Sequence, residues 1–149
     1  MTKRLLFLCT GNYYRSRYAE LLFNALAPAA GLDWQADSRG LDLAAGHNNI
    51  GPLSPFVLQR LKRRGIEPLP PLRYPQEAVA SDFSAADLVI ALKRTEHLPL
   101  MRAKFEAWAE RIEYWQVDDI DVAPPDVALG LIDTQIDSLL ARLAGNAGG

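Results

Sequence analysis

The sequence predicts an α/β fold, a three-layer sandwich with a central four-stranded parallel sheet and helices on both faces. Two observations carry that expectation. Segments of strand character alternate with segments of helical period along the chain, and strands separated by helices imply right-handed crossovers that cover both faces of one sheet. The first strand segment, residues 4–8 (RLLFL), is nearly all apolar, as a strand buried on both faces must be. At 149 residues, 49% hydrophobic and 23% charged, the chain fits one ordinary globular domain with a real core.

The elements follow in order. After the 4–8 strand, apolar residues at Tyr18, Leu21, Leu22 and Leu26 predict a helix over 16–26, started by Arg15 or Ser16 and ended by Pro28 and Gly31. Trp34 and Ala36 alternate in a second strand over 33–38. Residues 39–53 are rich in Gly and Asn and read as a loop. Ser54 caps a helix that carries Pro55 in its first turn and stops before Gly65. The Pro-rich run IEPLPPLRYP must be extended. Ser81 or Ser84 caps a short turn before a third strand over 87–92 (DLVIAL), and a helix over 95–111 leads to a fourth strand over 112–117. An acidic loop, DDIDVAPPD, precedes a final helix over 127–143, and GNAGG is expected as a frayed tail.

Several function classes are excluded by composition. A net charge of -2 lacks the basic face of a nucleic-acid binder. No apolar run approaches the ~20 residues of a membrane span, and the short apolar run after the basic start is no secretory signal. One cysteine cannot form an intramolecular disulfide, so a cytoplasmic location is expected. No Cys or His cluster has metal-ligand spacing, so neither metal nor cofactor is expected. His47 and His97 read as surface residues, and Trp34, Trp108 and Trp115 as core and edge packing.

The chemistry concentrates at FLCTGNYYRSRYAE, residues 7–20. A lone cysteine is ordinarily a small buried hydrophobe. Cys9, however, stands where a strand gives way to a helix, at the carboxyl end of the sheet, where α/β folds bind ligands. Backbone N–H groups of Thr10, Gly11, Asn12, Tyr13 and Tyr14 entering a helix N-terminus make a nest for a tetrahedral oxyanion. Gly11 permits a tight backbone and Asn12 tolerates the left-handed conformation. Arg15 adds a planar fork matched to two phosphate oxygens, and Ser16 is placed to hydrogen-bond the sulfur. Such surroundings favour a thiolate, which beneath a bound phosphate is an in-line nucleophile. An acid for the departing oxygen completes the set, and the DDID loop, at the end of the fourth strand, can converge on Cys9.

FLCTGNYYRSRYAE resembles the phosphate-binding loop of the low-molecular-weight protein-tyrosine phosphatases and of the arsenate reductases that share their fold. ADSRGL (36–41), SAADLVIAL (84–92) and WQVDDID (115–121) are similar to the family's second strand, third strand and acid loop. The resemblance implies Cys9 as nucleophile, Arg15 as phosphate clamp, residues 10–16 as the phosphate-binding loop, a supporting network of Asn12, Ser16 and Ser38, and Asp119 as general acid. The acid loop departs from the family pattern, with Ile120 and Asp121 where Pro and an aromatic usually follow, so Asp118 and Asp121 stay open as alternatives. Tyr14 stands where many members carry a second cysteine, and Lys93 where the third strand commonly ends in an acidic residue. The implied activity is a phosphomonoesterase acting on a phosphorylated protein or small aryl phosphate, as a monomer or weak dimer. Two other readings remain: an arsenate reductase drawing on an external thiol, and a non-catalytic phosphate- or phosphoprotein-binding module.

Overall fold

Strand β1 (Lys3–Cys9) is flanked on both edges, by β2 (Trp34–Gly40) and by β3 (Leu88–Ala91). The sheet order is β2-β1-β3-β4, with β4 (Glu113–Tyr114) at the far edge and every pairing parallel. The computed structural model describes residues 1–68 and 70–148. Helices are α1 (Arg15–Leu26), α2 (Pro55–Arg63), α3 (Ala80–Ala85), α4 (Arg94–Lys104), α5 (Glu106–Ala109) and α6 (Pro125–Gly148).

The two-residue period of β1 sorts its side chains between two cores. Leu5 and Phe7 pack with α1, α2 and α6, while Leu6 and Leu8 pack with Phe83, Met101 and Ala109 on the opposite face. Both faces are therefore covered, which is why β1 tolerates almost no polar residue. Each large apolar side chain so buried contributes ~1.5–3 kcal/mol relative to exposure. Cys9, at the end of the same strand, belongs to neither cluster.

Several boundaries differ from the sequence reading. The helix expected over 95–111 is two helices, because Phe105 leaves helical geometry (φ -141, ψ 55) and sets its ring 4.6 Å from that of Phe83. Burial of an aromatic pair there outweighs helical continuity. The fourth strand is only two residues long, although Trp115 and Val117 still donate backbone hydrogen bonds to Ala91 and Leu92. Asp82, not a serine, caps α3, its carboxylate accepting the Val79 N–H at 2.9 Å. The last helix starts earlier, with Pro125 at its first position, and runs to Gly148 where a frayed tail was expected. Gly149 lies outside the described residues. Ser54 does accept the Phe56 N–H (3.2 Å), and Gly65 does take a positive φ of 74°. Among the described residues no helix is long and apolar enough to cross a membrane.

Candidate active site

The order β2-β1-β3 makes the carboxyl ends of β1 and β3 neighbours at the point where the chain's winding reverses, the place where open α/β sheets bind ligands. Cys9 ends β1, and the first turn of α4, following β3, sits beside it. Cys9 is buried, with Sγ 3.0 Å from Ser16 Oγ. It lies in a cleft of about 560 Å³ lined by Thr10, Gly11, Tyr13, Tyr14, Arg15, Glu96, Asp119 and Asp121, with Phe56, Ile120 and Val122 at its apolar rim.

Between Cys9 and Arg15 the backbone does not pair with itself. No N–H from residue 10 to residue 14 has a hydrogen-bond partner among the described residues. Asn12 makes the turn with φ at 51°, the only non-glycine positive φ among the described residues. Its side chain is fully buried and holds the loop: Nδ2 donates to Ser16 Oγ (2.8 Å) and Ser38 Oγ (2.9 Å), while Oδ1 accepts the Gln76 N–H (3.0 Å). The Ser38 hydroxyl in turn donates a hydrogen bond to the buried Glu20 carboxyl group. Gly11 takes no positive φ, and a Cβ there would meet nothing nearer than 3.4 Å. The indispensable glycine is Gly40, where a Cβ would stand 2.7 Å from the Thr10 carbonyl oxygen. Tyr13 ties the loop outward, its hydroxyl donating to the Ile50 carbonyl at 2.7 Å. The Tyr14 hydroxyl is buried without a partner among the described residues, and burial, then the Asp119 charge, pushes it up to about 12, so it stays protonated.

Arg15 opens α1 and is 1% exposed, which a cation tolerates only with partners. Glu96 supplies them. Its Oε1 and Oε2 accept from Nη1 (3.2 Å) and Nη2 (2.7 Å), and the Val117 carbonyl takes the other Nη1 proton at 3.1 Å. Asp119 Oδ2 lies 3.4 Å from Nη2, with the Ile120 N–H holding its other oxygen at 2.8 Å. Asp118 turns away and pairs with Lys93. Asp121 lines the mouth, exposed. Of the three aspartates, Asp119 alone meets Arg15.

Two participants were missed by the sequence reading, Glu96 and His97. His97 was expected on the surface and is instead fully buried. Its Nδ1 accepts the Lys93 N–H (3.1 Å), which places the ring proton on Nε2, facing Thr10 Oγ1 and Glu96 Oε2, each at 3.1 Å. The Thr10 hydroxyl donates to Glu96. Burial pushes the Glu96 carboxyl up, but hydrogen bonds from His97, Arg15 and Thr10, with the Arg15 charge, hold it well below the usual carboxylate range. Burial likewise pushes His97 down, against the pull of Glu96, so the ring is neutral. The Arg15 guanidinium is raised, burial being outweighed by Cys9, Glu96 and Asp119. With its imidazole neutral and its carboxyl held well below the usual range, the His97–Glu96 pair fixes Arg15 and Thr10. Among the described residues no group of three or more His, Cys, Asp or Glu side chains is arranged to hold a metal ion.

The chain's relatives carry the same architecture. Comparison with curated protein sequences gives no match. Among solved structures, a low molecular weight protein tyrosine phosphatase from T. tengcongensis superposes with a TM-score of 0.78 at 28% identity, covering 95% of this chain and 100% of that one. YfkJ from Bacillus subtilis gives a TM-score of 0.82 at 25% identity, covering 98% and 97%. Vibrio vulnificus Wzb, solved in complex with benzylphosphonate, shares the fold at 16% identity, with a TM-score of 0.78 over 96% of this chain and 100% of its own. The family model described as low molecular weight phosphotyrosine protein phosphatase matches residues 4–128. With that match spanning most of the chain, and the fold shared over 95% of it, the protein belongs to the low molecular weight phosphotyrosine protein phosphatase family.

Proposed function

We propose that this chain hydrolyses phosphotyrosine, or a similar aryl phosphate, in two steps at Cys9. The observation that supports it most is the run of N–H groups at residues 10–14 without partners among the described residues, wrapped round a cysteine beside a buried arginine. Those donors suit a tetrahedral dianion. On Arg15 the Nη1–Nη2 edge is occupied by Glu96. The edge formed by Nε and the second Nη2 proton is left for two phosphate oxygens, and Asp119 borders it.

In the first step Cys9 Sγ attacks phosphorus in line with the leaving oxygen. The P–O bond to the alcohol breaks as the S–P bond forms, and protonated Asp119 gives its proton to the departing oxygen. The Ser16 hydroxyl, 3.0 Å from Sγ, steadies the sulfur. In the second step Asp119, now a carboxylate, takes a proton from water as that water attacks phosphorus. The S–P bond breaks, returning the electron pair to sulfur and releasing inorganic phosphate. Arg15 and the loop N–H groups hold the equatorial oxygens throughout, supplying the charge stabilisation that metals supply elsewhere. The apolar rim of Phe56, Ile120 and Val122 suits the ring of an aryl ester. The reaction is read as metal-independent and cytoplasmic, as the sequence suggested.

Hydrolysis of p-nitrophenyl phosphate and of a phosphotyrosine peptide, with and without chelator, tests the proposal. Turnover of both, indifferent to chelator, is expected. Oxyanion binding without turnover would make the chain a binding module, and activity restored only by a divalent metal would require another mechanism.

A further inference from the structure

The Pro-rich segment between α2 and α3 carries Arg73, whose side chain enters the back of the phosphate cup from a loop with no catalytic role so far. Its Nη1 donates to Asn12 Oδ1 at 3.0 Å, and its Nη2 reaches Glu20 Oε1 (3.0 Å), Ser38 Oγ (3.1 Å) and the Ser38 carbonyl (3.1 Å). The segment is itself pinned: the buried Arg17 donates from Nη1 to the Arg73 carbonyl (2.6 Å) and to that of Pro52 (3.0 Å).

We propose that Arg73 is a positioning residue of the phosphatase site, fixing the orientation of the Asn12 amide so that the Ser16 hydroxyl proton is directed to Cys9 Sγ. This rests on the reading of Cys9 as nucleophile. A primary amide has two acceptor sites on oxygen and two protons on nitrogen. Arg73 Nη1 and the Gln76 N–H fill both acceptor sites of Oδ1, so Nδ2 must face forward, where its protons go to Ser16 and Ser38. Each hydroxyl, already accepting, has its own proton to give elsewhere. That of Ser38 goes to Glu20, and that of Ser16 is left for Cys9 Sγ. With the amide turned round, Oδ1 would face Ser16 and draw that proton away from the sulfur. An arginine suits the task because its charge does not titrate. Glu20 lies against it at 3.0 Å, its carboxyl raised by burial in spite of the opposing pull of Ser38, Arg73 and Arg17.

Steady-state kinetics on p-nitrophenyl phosphate with Arg73→Met and Arg73→Lys tests the assignment, alongside the rate of Cys9 alkylation by iodoacetamide at one fixed pH. Arg73→Met is expected to lower kcat roughly 10- to 100-fold, the range of one charge-assisted hydrogen bond, with KM little moved and alkylation slowed. Arg73→Lys should recover part of both, because an ammonium still donates to Asn12. In a double-mutant cycle, Arg73→Met added to Asn12→Ala should cost little further, since both act through one amide. Should Arg73→Met fail to fold, Arg73→Gln and Arg73→Lys carry the test, with kcat expected to fall in the order Arg, Lys, Gln. Unchanged kcat and alkylation in variants that merely melt lower, or full additivity with Asn12→Ala, overturns the proposal. A parent protein with no turnover would overturn the phosphatase reading itself, a different result from an active parent indifferent to Arg73.

Discussion

The Glu96 carboxylate meets the Arg15 guanidinium along two parallel contacts, Oε2 to Nη2 at 2.7 Å and Oε1 to Nη1 at 3.2 Å. A fork-to-fork pair of this kind fixes the plane of the guanidinium as well as its charge. The carboxylate arrives from α4 and not from the end of the third strand, where Lys93 points instead to Asp118. Glu96 orients the Arg15 guanidinium, and Lys93 ties the end of β3 to the 118–121 loop.

Glu96→Gln should lower kcat on p-nitrophenyl phosphate roughly 10-fold or more by loosening Arg15, an effect of one ionic hydrogen bond. It should also cost about 1 kcal/mol of stability, a figure discounted for the exposed edge of the carboxylate. The sign with pH is fixed. Glu96 is held below its unfolded value, so its stabilisation is complete above pH ~4.3 and is lost as pH falls towards the folded value. The gap in melting temperature between parent and variant should be widest near neutrality and narrow in acid. A gap that widens on acidification would contradict the assigned ionisation.

Asp119→Asn should harm substrates with poor leaving groups most. Phenols of high pKa need the proton in the transition state, whereas nitrophenols depart as anions, and a positioned acid is worth ~10²–10⁴-fold. A plot of log kcat/KM against leaving-group pKa should steepen in this variant. Asp118→Asn and Asp121→Asn should shift such a plot without tilting it; a tilt in Asp121→Asn would move the acid two residues along the loop.

Peroxide should inactivate the enzyme at Cys9, and bound inorganic phosphate should protect it. With one cysteine in the chain, no internal disulfide can cap the sulfenic acid. Recovery should therefore require an external thiol and disappear once Cys9 is over-oxidised. Peptide mass spectrometry reads both states, and inactivation with Cys9 unmodified would place the sensitive group elsewhere.

How much of this was readable beforehand depended on how local each signal was. The cup lies within one stretch of sequence, so the cysteine, the left-handed Asn12 and the helix start at Arg15 could be placed from neighbours alone. The alternation of strand and helix gave the layers for the same reason. Glu96 and His97 are 81 and 82 residues beyond Arg15 and reach it only because β3 lies beside β1, a strand order that periodicity does not encode. A Glu-His pair in the first turn after the third strand was the available signal, and it becomes legible once that order is known. Arg73 was hidden more deeply. Proline content raised an expectation of extended chain there, of which Leu69 lies outside the described residues, but gave no sign of which side chain the segment would deliver. Phe105 shows the converse, a helical pattern interrupted by tertiary packing against Phe83.

The central claim is a covalent phosphoryl group on Cys9, and trapping it tests that claim most directly. Parent enzyme mixed rapidly with p-nitrophenyl phosphate and quenched in acid should yield one phosphoryl adduct, on the peptide that contains Cys9. It should accumulate further in Asp119→Asn, in which attack by water is slowed. In Cys9→Ser, turnover should be abolished while inorganic phosphate still binds, because Arg15 and the loop N–H groups remain. Product formation with no adduct on Cys9, or turnover of Cys9→Ser within a few-fold of the parent, would contradict the account.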